Sequence, residues 1–149
     1  MRFVVGPASS IPDGTVRIVH PRPGPGIGVF NVGGEYFALR NRCPHMDGPL
    51  CAGTITGTSR ARLRADGVPQ VDWERDGEII ACPWHRWEFE IRSGRTVFPS
   101  RRRARRYPVT VEPASAAGRL RAGVETYPVH VEDETVILEL GRAAEGTAR

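Results

Sequence analysis

Two short blocks of the sequence, Cys43-Pro44-His45 and Cys82-Pro83-Trp84-His85, each place one cysteine and one histidine within three residues of each other. The chain has only three cysteines and four histidines, so a chance pairing in both blocks is hard to sustain. Thiolates and imidazoles bind metals, and the proline after each cysteine stiffens the loop and removes a competing N–H. The two blocks therefore predict a metal site formed by two loops.

Three interpretations of these blocks are open. They are ordinary turn residues, a Cys₂His₂ zinc site, or the ligands of a [2Fe–2S] cluster with two cysteines on one iron and two histidines on the other. Zinc fingers usually pair cysteine with cysteine and histidine with histidine, whereas here each block is mixed and 36 residues separate His45 from Cys82. Mixed pairs favour the cluster, because two loops that clasp it from either side each give one ligand to each iron.

The elements that must position these blocks are predicted to be β-strands. The 17 glycines and 13 prolines interrupt the chain often, and no stretch keeps a helical apolar period over three turns. A tight hairpin is predicted at Gly33-Gly34, between two alternating runs. Both blocks follow predicted strands, so the fold class is all-β, a sandwich or small barrel. Alternating runs predict strands at 16–20, 28–32, 35–39, 78–81, 88–91, 107–112, 127–131 and 135–140.

Other segments are less regular. Residues 57–77 are predicted to be a long loop or a distorted hairpin, residues 113–118 a loop, and residues 142–149 a frayed tail after a single domain that spans 1–141. The segment Tyr107-Pro108-Val109-Thr110-Val111-Glu112 is echoed by Tyr127-Pro128-Val129-His130-Val131-Glu132. Because proline suits the edges of sheets, the two copies predict a pair of similar edge strands.

Positive charge is concentrated in one stretch. The basic residues number 21, all of them arginine, against 17 acidic residues, and residues 86–106 hold eight arginines against Glu88 and Glu90. The remainder of the chain is slightly acidic, so we do not expect a nucleic-acid-binding protein. The run from Arg101 to Arg106 has no interleaved aromatic residues, and it is interpreted as a solvated loop or as a docking patch for an acidic partner.

We expect a cytoplasmic protein without a membrane partner. No apolar run is long enough to span a bilayer, and the start of the chain breaks before a signal-peptide apolar region could form. The odd number of cysteines argues against a disulfide framework. Cys51 is therefore expected to be a small buried residue that packs the first loop.

The pattern Cys-x-His followed by Cys-x-x-His resembles the Rieske iron–sulfur family. The match extends to Cys43-Pro44-His45-Met46-Asp47-Gly48-Pro49-Leu50 for the first cluster loop and Cys82-Pro83-Trp84-His85-Arg86-Trp87-Glu88-Phe89 for the second. The resemblance implies an antiparallel β-sandwich with a small cluster-binding subdomain formed by two loops, about 42–52 and 81–90. It also implies that one iron is bound by Cys43 and Cys82, and the other by ring nitrogens of His45 and His85.

The resemblance also implies a low-potential member of the family. Two neutral imidazoles leave the oxidised cluster uncharged, which puts its potential at about −150 mV or above. Respiratory-type members add a disulfide between the loops and hydroxyls that hydrogen-bond the cluster sulfurs. Here the bridging positions hold Gly48 and Trp84, and the hydroxyl positions hold Trp87 and Phe89. Arg86, where the family often has glycine, is a cation that would favour the reduced form.

The implied function is one-electron transfer, as the ferredoxin component between an NAD(P)H-dependent reductase and a non-haem iron oxygenase. Only His20 and His130 remain for a mononuclear iron site, so we expect no substrate-oxidising site in the chain, and whether it is an enzyme component stays open. The alternative is a non-shuttling accessory subunit of a larger reductase, similar to the small subunit of nitrite reductase, or a redox-sensing module. Segments 57–77 and 97–123 make the chain longer than a minimal Rieske ferredoxin.

Overall fold

The computed structural model describes residues 1–113 and 134–141, and over these residues the chain is almost entirely β-structure. Two one-turn 3₁₀ helices, Ala8–Ser10 and Leu50–Ala52, interrupt the strands. In this part of the chain, no helix has the length and apolar character that a membrane crossing requires. The strands are β1 (Arg2–Pro7), β2 (Val16–Val19), β3 (Ile27–Val32), β4 (Glu35–Arg40), β5 (Thr54–Leu63), β6 (Pro69–Ala81), β7 (Glu88–Glu90), β8 (Arg106–Tyr107), β9 (Val109–Pro113) and β10 (Glu134–Glu139).

The strands form three antiparallel sheets, with strand orders β1-β10-β9, β2-β3-β4-β8 and β5-β6-β7. Strand β3 is buried along its whole length, because its successive side chains enter two different cores. Val29 and its cross-strand neighbour Ala38 pack with residues of β1 and β10, whereas Phe30 and Leu39 pack with residues of β6, β7 and the two cysteine loops. The β2-β3-β4-β8 sheet is therefore the central layer, and the predicted all-β sandwich is confirmed.

The hairpin that joins β3 to β4 turns at the predicted position. Gly33 and Gly34 both have positive φ, at 61° and 90°, as the tightest two-residue turn requires. The turn sets the register in which Phe30 lies opposite Phe37. This register directs one face of the central sheet towards the cysteine loops.

Segment 57–77 belongs to a long hairpin formed by β5 and β6, so the prediction of a distorted hairpin was right. A β-bulge between Thr56 and Thr58 shifts the register and separates the inner part of the hairpin from an exposed outer part. One face of the outer part carries arginines that form ion pairs with Asp72 and Glu74. The other face is apolar and open to solvent, with Leu63, Val71 and Trp73 exposed.

Parts of the predicted organisation fall on residues that the structure does not describe. The first copy of the echoed segment forms β8 and β9, each the outermost strand of its sheet over the described residues. The second copy at 127–132, with His130, lies outside the described residues, as do 114–118 of the predicted loop, 114–123 of the longer segment and the tail at 142–149. The extent of the domain to residue 141 stays a prediction.

Gly53 fixes how the first cysteine loop returns to the sheet. The residue joins the 3₁₀ helix to β5, and its backbone N–H donates to the carbonyl oxygen of Leu50 (3.1 Å). An added Cβ at Gly53 would overlap the carbonyl oxygen of Ala81, which belongs to the backbone of β6 and cannot rotate away. The loop can therefore approach β6 this closely only without a side chain at position 53.

We expect Gly53→Ala to lower the free energy of unfolding by about 1–3 kcal/mol, because the overlap forces a backbone shift. The matched control is Gly141→Ala, since an added Cβ there meets no atom within 4 Å. The control should change the free energy of unfolding by no more than about 0.5 kcal/mol. Denaturant unfolding of both variants measures the difference, and equal losses would contradict the close approach.

Candidate metal centre

The two cysteine loops have the same backbone hydrogen-bonding pattern. In the first, the N–H of Cys43 donates to the carbonyl oxygen of Gly48 (2.8 Å), and the N–H of Asp47 donates back to the carbonyl oxygen of Cys43 (2.8 Å). In the second, the N–H of Cys82 donates to Trp87 (2.9 Å) and that of Arg86 donates to Cys82 (2.9 Å). Each loop is therefore a closed turn that begins at its cysteine and fixes the direction of the histidine within it.

The residue four positions after each cysteine adopts a left-handed backbone conformation. The φ angle is 65° at Asp47 and 58° at Arg86, a region that costs a residue with a Cβ about 1–2 kcal/mol. Glycine enters this region without steric cost, so Arg86 adopts a backbone conformation that glycine would adopt more easily. Asp47 is held by an ion pair between its carboxylate and the Nε of Arg42 (2.7 Å).

The structure brings together the four residues that the sequence singles out. Cys43 and Cys82 are both buried in the core beneath the loops. The rings of His45 and His85 lie at the outer end, with centroids 4.9 Å apart and planes at 82°. His45 is half-buried and His85 is exposed, so the thiols lie in the core and the imidazoles lie towards solvent.

Burial controls the protonation of Cys43 and His45 in the protein without a bound metal. The pKa of Cys43 is raised to about 11, chiefly because the thiol is desolvated. The pKa of His45 is lowered, first by desolvation and then by the nearby His85 and Arg102. The Cys43 thiol is therefore protonated and the His45 imidazole neutral at neutral pH, so a metal that binds here displaces the thiol proton.

An unpaired nitrogen marks where a metal would bind. The Nδ1 atom of His45 is buried and takes part in no hydrogen bond. Over residues 1–113 and 134–141 it is the single buried side-chain nitrogen or oxygen without a hydrogen-bond partner. A buried polar atom without a partner costs about 1–3 kcal/mol, and a metal bound to Nδ1 would remove that cost. Two thiol sulfurs in the core and two imidazoles near the surface match the donor set of a two-iron cluster, in which each iron has two protein ligands.

The geometry suits a cluster better than a single zinc ion. A tetrahedral zinc site needs its side chains to converge on one point. The two thiols lie in the core and the two imidazoles lie towards solvent, an order that fits two metal positions.

A contact between the loops occupies the place where respiratory-type members have a disulfide. An added Cβ at Gly48 would lie 2.9 Å from two indole carbons of Trp84 and 3.1 Å from the Sγ of Cys82. Glycine at position 48 thus lets the Trp84 indole lie directly on the first loop. The loops are joined here by van der Waals contact, and the three cysteines of the sequence are all free.

Sequence reasoning missed the residues that hold the His45 ring. The ring of Trp87 stacks on that of His45, with centroids 4.1 Å apart and planes at 10°, and Phe98 contacts Trp87 edge-on at 4.8 Å. The guanidinium of Arg102 donates to backbone carbonyls of the first loop. Nothing local distinguishes Arg102 from its neighbours in the arginine run, so only the fold reveals this role.

Cys51 is a packing residue, as predicted. The thiol is fully buried and donates to the carbonyl oxygen of Leu39 (3.4 Å), and burial raises its pKa to about 12. An added Cβ at Gly28 would lie 2.6 Å from the Sγ of Cys51, so the thiol fills the space over a glycine of the central sheet. A thiol this hard to deprotonate is inert.

Comparisons with known proteins agree with this geometry. The Rieske [2Fe-2S] domain model matches residues 1–108. The 3-phenylpropionate/cinnamic acid dioxygenase ferredoxin subunit of Shigella flexneri serotype 5b (strain 8401) is 25% identical over 142 residues, which cover 95% of this chain and 96% of that protein. The solved Sphingomonas yanoikuyae B1 ferredoxin is 29% identical, with a TM-score of 0.54, over 75% of this chain and 91% of that one.

A second solved structure is similar in fold. It is a ferredoxin in a complex of reduced oxygenase and oxidized ferredoxin in carbazole 1,9a-dioxygenase, with a TM-score of 0.57, 20% identity and 92% of each chain covered. The family match spans both cysteine loops. On these grounds the chain belongs to the Rieske [2Fe-2S] domain family, and its cofactor is a Rieske-type [2Fe–2S] cluster.

Proposed function

We propose that this chain is a cytoplasmic one-electron carrier, the ferredoxin component that takes electrons from an NAD(P)H-dependent reductase and passes them to a non-haem iron oxygenase. The observation that carries the proposal is the ordered pair of loops, with buried thiols inside and imidazoles at the surface. The curated relative, a ferredoxin subunit of a dioxygenase, and the solved ferredoxin–oxygenase complex support this class of electron acceptor.

The ligands that we propose are Cys43 and Cys82 for one iron, and His45 and His85 for the other. When bound, the cluster supplies one reversible electron at a potential that the two imidazoles raise. The two cysteines exclude water from the inner end of the site, because both lie in the core beneath the loops. His85 gives the shortest route to a partner, since its side chain is exposed.

The surface around His85 suits brief docking. Met46 and Trp84, each next to a histidine in its loop, are both 58% exposed, which provides apolar surface for a contact. Arg101 and Arg103 follow in the chain, are exposed, and form no ion pair with any carboxylate of the described residues. Uncompensated positive charge beside an apolar patch favours an acidic partner and a contact that weakens in salt.

A second candidate function is the accessory subunit of a larger reductase. The exposed apolar face of the β5–β6 hairpin favours it, because Leu63 and Val71 are 78% and 70% exposed and a permanent partner would cover them. Gel filtration separates the candidates. A carrier elutes alone from its native extract and is reoxidised by a separate oxygenase, whereas an accessory subunit co-elutes with a reductase.

We expect Cys43→Ala to abolish iron and sulfide binding, because the variant removes a cluster thiolate. Cys51→Ala is the matched control, since Cys51 is an equally buried thiol in the same loop that we assign to packing alone. The control should keep the iron content of the native protein and lose only about 1 kcal/mol of stability. Metal and sulfide analysis measures both. Loss of iron in the control, or its retention in Cys43→Ala, would refute the ligand assignment.

We expect the docking of an acidic partner to depend on Arg101 and Arg103. The rate at which a dioxygenase of this class reoxidises the reduced protein should fall several-fold between low and high salt, because screening removes the attraction. The double variant Arg101→Gln/Arg103→Gln should lower the low-salt rate and flatten its salt dependence. Arg17→Gln, which removes an exposed charge on β2, should leave both unchanged. A flat salt response in the native protein would reject electrostatic steering.

A further inference from the structure

Arg102 is the member of the arginine run that turns back onto the first cluster loop. Its Nη1 donates to the carbonyl oxygens of Pro44 (2.8 Å) and His45 (3.0 Å). These two carbonyls belong to the peptide groups on either side of the Cα atom of His45. A single guanidinium nitrogen therefore fixes the peptide groups on both sides of the histidine.

The same guanidinium also contacts the ring that supports the His45 imidazole. The Cζ atom of Arg102 lies 6.0 Å from the centroid of the Trp87 ring, within the range of a cation–π interaction. Trp87 in turn stacks on His45 at 4.1 Å. Arg102 thus acts on the backbone of His45 directly and on its ring through Trp87.

No carboxylate of the described residues forms an ion pair with Arg102. The ion pairs formed over residues 1–113 and 134–141 involve other arginines, and none includes Arg102. Reduction by one electron takes the cluster together with its four proposed ligands from no net charge to −1, while Arg102 stays protonated. A fixed cation beside the histidine end therefore stabilises the reduced form more than the oxidised form.

We propose that Arg102 is a positioning residue for the histidine end of the cluster. Arg102 holds His45 in the orientation in which it binds iron, and its charge raises the midpoint potential of the cluster. The inference rests on the proposed role of His45 as a ligand. The inference gives Arg102 a different role from Arg101 and Arg103, for which we propose partner docking.

The experiment compares Arg102→Gln and Arg102→Lys with the matched control Arg101→Gln in the cluster-loaded protein. An optical redox titration should show that Arg102→Gln lowers the equilibrium constant for reduction on the order of fivefold. Arg102→Lys keeps the charge and should restore most of this loss. Arg101→Gln removes the same charge from the adjacent residue, without a contact to the loop, and should give a much smaller change.

The rate of iron release is a second readout, and it tests whether Arg102 stabilises the first cysteine loop. An iron chelator should release iron several-fold faster from Arg102→Gln than from Arg101→Gln, because the carbonyls of Pro44 and His45 lose their donor. The inference about Arg102 alone is overturned if the native protein titrates as a one-electron carrier and Arg102→Gln has the same midpoint potential and the same iron-release rate as Arg101→Gln. A native protein without a reducible cluster overturns both this inference and the proposed function.

Discussion

The backbone hydrogen bonds that close each cysteine loop are the constraint on which the site depends. In both loops the cysteine N–H donates to the carbonyl five residues later, and the cysteine carbonyl accepts from the N–H four residues later. Because the two turns are alike, they direct both thiols inward and both imidazoles outward. This order matches the donor arrangement that we propose, with two cysteines on one iron and two histidines on the other.

The packed sheets restrict the movement of the two cysteine loops. Strand β3 is buried on both faces, so the central sheet is packed between the β1-β10-β9 layer and the core beneath the loops. Gly53 and Gly28 let the first loop lie close to β6 and to the central sheet. A cluster end built on rigid layers can change its charge with little movement, and small reorganisation favours fast electron exchange with a partner that docks briefly.

Local patterns were enough to predict β2, β3, β4, β7, β10 and the Gly33-Gly34 turn, because strand alternation and turn chemistry are encoded in short stretches of sequence. Strand β1 was not predicted. Arg102 could not be predicted, since the carbonyls that it binds lie 57 and 58 residues earlier in the chain. The stack of Trp87 on His45 also joins two separate loops. Contacts of this kind depend on how the layers bring distant segments together, which no periodicity in the sequence reports.

The central claim is that imidazole nitrogens, and not only thiolates, hold the iron. Pulsed electron paramagnetic resonance of the dithionite-reduced protein tests this directly, because a directly bound nitrogen couples to the unpaired spin. The account predicts a reduced [2Fe–2S] signal with couplings from two distinct histidine nitrogens. A reduced cluster without strongly coupled nitrogen, or a colourless protein that contains zinc and no sulfide, would contradict it.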